Sequence, residues 1–312
     1  MAARVTILHV GVRFVRAHAM GVLVGQAALG ALISAGCPGS PPPAVALTPS
    51  ELDIPPLDAG REGGLGTASA GVRFGHPAAA VGTAWSVSVQ ASSRSSDPAT
   101  AGVSEQLSTY DSEFRVEVLA VDGPAPSRVK LRFLRNIHTY QGAPTPTAID
   151  GKEYVVDARA PHVRNATGPA TNNAAPEGET QRVLDVFSDL GTRTRIDEVL
   201  PDDTMSIGER RDELAGAVLR VIHPRAWTLR TGTATLARAD GEHAVFVVSL
   251  DASSENGLRM ELSGEAHVRL RDASLSDLSL DGRYELASGK EPPGHFTLRR
   301  RVTSDPAPRS DR

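Results

Sequence analysis

Cysteine occurs once in this chain of 312 residues, at Cys37. A single thiol forms no intrachain disulfide, and it does not supply the set of thiolates that a cysteine-bound structural zinc ion requires. The chemistry left for Cys37 is modification of its own sulfur. Whether modification is expected depends on the residues around it.

Histidine is the residue type most useful for catalysis and metal binding, and the chain has nine. Two lie within the first 18 residues, and the others never have the i, i+3 or i, i+4 spacing that places two imidazoles on one helix face. We predict surface or turn positions for these seven and no metal or other cofactor. They are His76, His138, His162, His223, His243, His267 and His295.

The serine and aspartate motifs of the chain depart from the patterns of known sites. Residues 67–71 (TASAG) lack the first glycine of a hydrolase nucleophile elbow. Asp272, Asp277 and Asp281 lack the alternating oxygen ligands of a calcium loop, and leucines that we expect to face a core lie between them. Asp202-Asp203 follows Leu200-Pro201 and is typical of a turn. The sequence therefore predicts no enzyme, with a hydrolase site assembled from distant residues as an alternative.

The N-terminus has the pattern of an export signal. Residues 1–18 contain three arginines and no acid, and residues 19–36 (AMGVLVGQAALGALISAG) are almost entirely apolar. Small residues at 34–36 precede Cys37, and a proline-rich tract over 38–43 follows it. A basic region, an apolar region and small residues before a cut define a secretory signal, here over residues 1–37.

The segment Ile33-Ser34-Ala35-Gly36-Cys37 resembles the lipobox of bacterial lipoproteins, although Ser34 stands where that family most often has leucine. The resemblance implies cleavage between Gly36 and Cys37 and lipidation of Cys37. Each buried methylene of an acyl chain such as palmitate contributes about 0.8 kcal/mol to the anchor. The expected location is the bacterial cell envelope, facing the periplasm or the cell surface. An uncleaved membrane helix and cleavage after Ala44-Val45-Ala46 remain as alternatives.

Composition separates a tether from a folded body. Residues 38–70 are rich in Pro, Gly, Ala and Ser without apolar periodicity, and such a linker spans on the order of 30 Å. The leader holds three of the 33 basic residues and none of the 37 acidic ones. The rest is therefore mildly acidic, which argues against a nucleic-acid partner. The basic run Arg299–Arg301 is expected on a solvated face or as protection of a sheet edge.

From Gly71 onward, apolar and polar residues alternate as in half-buried strands. One face of the first long strand carries Trp85, Val87, Val89 and Ala91, and the pattern continues at 114–120, 129–133 and 154–158. Asp-Gly turns at 122, 150 and 240 favour antiparallel hairpins. Five further strands are expected from Trp227 to Val302.

The period changes in the middle of the chain. After a loop over 165–178, Val183, Val186, Phe187 and Leu190 have helical spacing and predict a helix over 180–190. Residues 206–222 favour a second helix over a strand. They begin with Ser206 and Glu209 in the spacing of a capping box, and the segment ends before Pro224.

Val81-Gly82-Thr83-Ala84-Trp85 and residues 207–211 (IGERR) place an apolar residue and a glycine at comparable points of two halves. With Leu200-Pro201, the body resembles poorly characterised bacterial lipoproteins that carry a Leu-Pro motif, a Val-Gly-x-x-Trp motif and long antiparallel strands. Arg211 departs from that pattern, which has tryptophan there. The resemblance implies a half-barrel or curved sheet like that of periplasmic lipoprotein carriers.

The sequence thus predicts a β-rich α+β body over 71–303, with halves at about 71–200 and 201–303, a curved sheet or half-barrel, and a disordered tail over 304–312. The function expected of it is binding of a lipid or other apolar ligand. A structural lipoprotein that assembles with other envelope proteins is the main alternative.

Overall fold

A computed structural model of the protein describes residues 71–96, 105–158, 162–167, 171–187, 190, 195–222, 227–254, 257–286 and 293–304. The signal over 1–37, its cleavage position after Gly36, the lipidation site at Cys37 and the tether over 38–70 lie outside these residues. So does the predicted tail apart from Ser304, which is the last residue of the final strand.

The strands of the described chain form one antiparallel sheet that does not close on itself. Its order is β6-β5-β3-β2-β1-β11-β10-β9-β8-β7, with β4 paired to β3. The predicted mainly β fold with long antiparallel strands and few helices is confirmed. The strands are β1 (Ala84–Ser96), β2 (Glu105–Asp122), β3 (Ala125–Tyr140), β4 (Ala143–Pro146), β5 (Glu153–Asp157), β6 (His162–Asn165), β7 (Trp227–Ala239), β8 (His243–Ser254), β9 (Leu258–Arg269), β10 (Leu275–Leu286) and β11 (Gly294–Ser304).

Three short helices occur in the described chain: α1 (Glu177–Val186), α2 (Arg195–Val199) and α3 (Asp212–Ile222). α1 and α3 are the two predicted helices with shifted bounds, and α2 was not predicted. The predicted start of α3 at the capping box is wrong. The Ser206 N–H does donate to the Glu209 carboxylate at 3.0 Å, but this bond closes a turn ahead of the helix. Gly208 in that turn has φ +88°, which is incompatible with a helix.

The two glycine motifs make the same backbone contacts. Gly82 has φ +85° and donates to the Val118 carbonyl, whose own N–H donates to Thr83 O. Gly208 donates to the Leu236 carbonyl, whose N–H donates to Glu209 O. A register shift follows each partner, between Val118 and Ala120 in β2 and between Leu236 and Arg238 in β7. The chain differs after the two motifs. Alternating apolar and polar residues follow the first motif and form β1, whereas acidic residues and helix formers follow the second and form α3.

The buried side chains form two clusters on one face of the sheet. The first core lies on β2, β3 and β5 beneath α1 and includes Phe114, Phe133 and Tyr154. The second core lies on β7 to β10 beneath α2 and α3 and includes Phe246 and Met260. The two cores meet along β1 and β11, which join the halves of the sheet.

Residues 71–83, which we name the strap, run along one end of the sheet. Val72 pairs with Met205, and the Gly75 N–H donates to Leu270 O, so the strap begins against the second core. The Ala79 N–H donates to Pro124 O at the turn between β2 and β3. The strap therefore lies along the end of the sheet at which β1 begins.

Glu179 fastens α1 to β5. Its carboxylate accepts hydrogen bonds from Lys152 Nζ at 2.8 Å and from the Tyr154 hydroxyl at 2.5 Å. Burial disfavours the ionised carboxylate, but these hydrogen bonds outweigh it and hold the pKa of Glu179 below its usual range. Burial and the Glu179 carboxylate raise the pKa of Tyr154.

Glu179→Gln should lower the free energy of unfolding by about 1–2 kcal/mol at neutral pH, because it removes a charge-assisted bond between helix and sheet. A carboxyl group with a lowered folded-state pKa stabilises the fold above its unfolded pKa, and this stabilisation is lost as pH falls through the folded pKa. The deficit of the variant should thus disappear in acid. Urea unfolding at about pH 7 and about pH 3 measures this deficit, with Glu177→Gln, an exposed residue of the same helix turn, as control. A deficit that persists unchanged in acid would contradict the assignment.

Candidate functional site

The two faces of the sheet have opposite chemistry. One, the charged face, carries cross-strand ion pairs such as Arg301–Asp277 at 2.8 Å and Arg238–Glu265 at 3.0 Å. Exposed pairs of this kind contribute roughly 0–1 kcal/mol each. The other, the apolar face, carries both cores and contacts the helices. A ligand that avoids water can be bound only on the apolar face.

The basic run at 299–301 is divided between these faces. Arg299 and Arg301 alternate onto the charged face, as expected for a solvated run, whereas Arg300 pairs in register with Val89 and Leu278 on the apolar face. The edge-protection alternative is wrong, because β11 is paired on both sides, with β1 and β10.

The apolar face contains one concentrated group of polar residues. Five of the six buried polar residues of the described chain lie on β1, β2 and β3 there. With the partly exposed Tyr110 and His138 between them, they define what we name the polar patch. Its residues are Ser93, Ser95, Ser108, Tyr110, Ser112, Asn136 and His138.

Asn136 is the centre of the polar patch and is 1% exposed. Its Nδ2 donates to the Tyr110 hydroxyl at 2.7 Å and to Ser112 Oγ at 2.8 Å, and its Oδ1 accepts from Thr147 Oγ1 at 2.5 Å. Its backbone N–H donates to the Asp150 carboxylate at 2.6 Å. Every polar group of the Asn136 side chain is therefore satisfied, which fixes its orientation.

Tyr110 is a patch residue that interacts electrostatically with a cation. Burial raises the pKa of its phenol, although hydrogen bonds from Ser112 and Asn136 and the positive charge of Arg182 act in the opposite direction. Arg182 lies on α1, is partly buried, and also interacts electrostatically with Asp185. Burial lowers the pKa of the Arg182 guanidinium, which nevertheless stays protonated at neutral pH. Arg182 on the helix thus acts electrostatically on one residue of the polar patch.

Ser108 and His138 form a second contact within the patch, with Ser108 Oγ and His138 Nε2 2.7 Å apart. Burial lowers the pKa of His138, so its ring is neutral at pH 7. A serine beside a neutral histidine supplies a nucleophile and a base. Among the described residues, however, no carboxylate pairs with His138 to orient its ring as the third member of a triad does.

Apolar side chains beside the patch are only partly covered. Val89 packs against both cores, and Tyr110 packs at the edge of the second. We name this region the inter-core junction. Further partly buried apolar side chains pack against one core each, Val186, Phe187 and Leu190 against the first and Trp227, Leu229 and Tyr284 against the second.

The residues singled out by motif do not converge. Asp277 pairs with Arg301 and Asp281 with His295, and the leucines between them at 275, 278 and 280 are buried as expected. The described residues contain no cluster of three or more His, Cys, Asp or Glu able to hold a metal ion. His223 and residues 67–70 lie outside the described chain.

Two histidines differ from the predicted surface or turn positions. The His138 side chain lies on the apolar face, and the His76 side chain is 10% exposed, with Nε2 3.4 Å from Asp202 Oδ1. Sequence reasoning missed the polar patch, although β2 offered a signal. Continuing the alternation of Val118, Val116 and Phe114 backwards puts Ser112, Tyr110 and Ser108 on the same face.

Comparisons with known proteins add little to this geometry. No protein-family model matches the chain, and no curated protein matches it. Among solved structures, the chain is similar to DynF from the dynemicin biosynthesis pathway of Micromonospora chersina, with a TM-score of 0.21 and 10% identity over 77% of this chain and 92% of that chain. Similarity at this level carries no argument about fold or function. In the described part of the chain, no helix has the length and apolarity to span a membrane.

Proposed function

We propose that this protein is a non-enzymatic envelope lipoprotein, anchored through Cys37, that binds an amphipathic lipid at the inter-core junction. The observation that carries the proposal is the polar patch beside partly exposed apolar side chains on the sheet face that otherwise forms the cores. Ligand sites are typically apolar surfaces with a few convergent polar groups. Joint replacement of hydrogen-bonded partners by apolar groups of the same shape can be nearly neutral for stability, so stability alone does not require a polar patch here.

The arrangement of the helices supports this function. α1 covers the first core and α3 packs on β7 and β8, so the sheet face along β1 and β11 lies between them. Val89 and Tyr110 on β1 and β2 keep part of their surface accessible there. An acyl chain could cover these side chains while its polar end meets the patch.

Native mass spectrometry of the full chain, released from a detergent micelle, tests for the ligand. We expect an adduct of lipid mass that is lost in Val89→Trp, because the indole would fill the junction. Gln90→Trp is the matched control, since Gln90 is the next residue and is exposed on the charged face. A wild-type chain that stays free of adduct after exposure to lipid vesicles would overturn lipid binding and favour the assembly role.

Membrane attachment is tested separately. Cys37→Ser should abolish acylation and release the chain from the membrane fraction, because the acyl chains supply the anchor. Metabolic labelling with palmitate measures acylation, and fractionation after a salt wash measures membrane attachment. A variant that remains in the membrane would instead support an uncleaved N-terminal helix.

A further inference from the structure

We propose that one end of the sheet faces the bilayer, with the exposed side chains of Val81 and Ile207 in contact with it. This end, which we name the tether end, is the one at which β1 begins and along which the strap lies. The inference rests on the anchor of the proposed function and adds the surface of the body that meets the membrane. It is carried by the exposure of these two side chains and by the strand register that brings them to one end.

Val81 and Ile207 are the two most exposed large apolar side chains of the described residues, at 63% and 52%. Each directly precedes the glycine of one of the two turns that make the same backbone contacts, Gly82 and Gly208. Single exposed aliphatic side chains are normal on a protein surface. Exposure at the same position of both turns is a different observation, because the same backbone arrangement leaves an aliphatic side chain uncovered twice.

Strand register places both turns at the tether end. The first turn bonds to Val118 near the end of β2, which lies beside the start of β1, and the second bonds to Leu236 near the end of β7. Antiparallel pairing carries this end across the sheet through the end of β11, the start of β10, the end of β9 and the start of β8. At about 4.8 Å between neighbouring strands, β2 and β7 are roughly 30 Å apart along the sheet. Two contacts at this separation fit an extended surface.

The strap joins the two turns and adds apolar surface between them. It begins where Val72 pairs with Met205, shortly before the second turn, and it ends at the first turn. Residues 77–81 (PAAAV) of the strap contain no charge and are mostly exposed. Backbone hydrogen bonds from the strap to the β2–β3 hairpin place the exposed Leu119 and Val121 of β2 beside this segment.

The place at which the predicted tether joins the body identifies the bilayer as the surface. Residues 38–70 lead from Cys37 to Gly71, the first residue of the strap, so the tether meets the body at the tether end. A linker of this length spans on the order of 30 Å. At about 3.3 Å per residue, the 13 residues of β1 extend roughly 40 Å. The opposite end of the sheet is therefore farther away than such a linker spans on average.

Charged side chains at the tether end have both signs. Exposed Asp122, Asp203 and Asp240 lie in its turns, together with exposed Arg73 and Arg271. Neither sign dominates, so this end does not select a strongly charged surface. Burial of the aliphatic side chains is the interaction that it offers, and a zwitterionic bilayer is the matching probe.

Site-specific fluorescence of the mature chain, reconstituted in phosphatidylcholine vesicles, tests this contact. Cys37 is the single cysteine, and lipidation occupies its sulfur, so Val81→Cys or Ile207→Cys supplies the one free thiol for an environment-sensitive dye. Residues of an interfacial element lie about 5–10 Å into the boundary of headgroups and acyl chains, so both labels should lose roughly half or more of their emission when the lipids carry spin-labelled acyl chains.

Tyr140→Cys is the matched control, because Tyr140 is similarly exposed but lies where β3 ends, at the opposite end of the sheet. A label there should keep its emission. Thermal unfolding of each labelled variant establishes that it is folded.

The outcomes separate the inference from the anchor on which it rests. The same emission loss in all three labels, or no loss in any, would overturn the bilayer-facing end and leave the anchor standing. Uptake of the dye by the wild-type chain would show a free Cys37 sulfur and overturn the anchor together with the inference. Labels that respond to native envelope fragments but not to pure lipid would assign the tether end to a protein partner and overturn its contact with the bilayer.

Discussion

Replacement of Phe246 by alanine should lower the free energy of unfolding by about 3–5 kcal/mol, the usual cost of removing a fully buried aromatic ring. Phe246 is 0% exposed in the second core. Its ring also stacks on Phe74 of the strap, with centroids 6.2 Å apart and an interplanar angle of 28°. The truncation thus leaves a cavity and removes a ring contact between the strap and the sheet. Urea unfolding followed by tryptophan fluorescence measures it.

The neighbouring residue provides the control. Val247 follows Phe246 on the same strand, faces the charged side and is 49% exposed. Val247→Ala should change the free energy of unfolding by no more than about 0.5 kcal/mol. Equal losses in the two variants would mean that β8 does not present alternate faces to core and solvent.

Asn136→Leu should cost about 3 kcal/mol or more, although leucine has a similar size. The substitution removes donors to Tyr110 and Ser112 and the acceptor of the Thr147 hydroxyl. Each buried polar group that loses its partner costs about 1–3 kcal/mol. The midpoint temperature of thermal unfolding should fall by roughly 6–12 °C for a body of this size. Lipid affinity should fall as well, because Asn136 joins Tyr110 and Ser112 in the polar patch beside the proposed site.

Asn173→Leu is the matched control for this change, since Asn173 is exposed in the loop between β6 and α1. It should leave both stability and ligand affinity nearly unchanged. If Asn136→Leu is as stable as the wild type, the hydrogen bonds of Asn136 do not stabilise the fold. The assignment of these bonds as the structural support of the site would then be wrong.

Local patterning was sufficient for the long strands and for most of their apolar side chains that face the cores. Val129, Leu131 and Phe133 alternate with charged residues, and all three are buried as predicted. Hydrophobic alternation specifies a face because the side-chain period of a strand is two. The acidic first turn and apolar stripe of α3 likewise indicated a helix, since both act within one element.

The polar patch, in contrast, depends on a bulge that alternation does not reveal. Extending the period of Phe133 would place Arg135 and Ile137 on the apolar face. Pairing with β2 shifts between Glu113 and Phe114, which leaves Leu134 as an extra residue and turns Asn136 and His138 inward. Arg135 instead pairs with Asp111 on the charged face.

The sequence by itself determined the long strands and two of the three helices, because strand alternation and helix spacing are local properties of the chain, whereas β4, β6 and α2 were not predicted. It also contains the lipobox-like segment around Cys37, which remains a prediction. Tertiary structure decided the rest. Pairing of β1 with β11 joined the two halves of the sheet, and pairing of β2 with β3 brought Asn136 to Tyr110 and Ser112. Contacts between residues so far apart in sequence arise only when strand register and helix packing bring them together, so the candidate site could not be located from spacing alone.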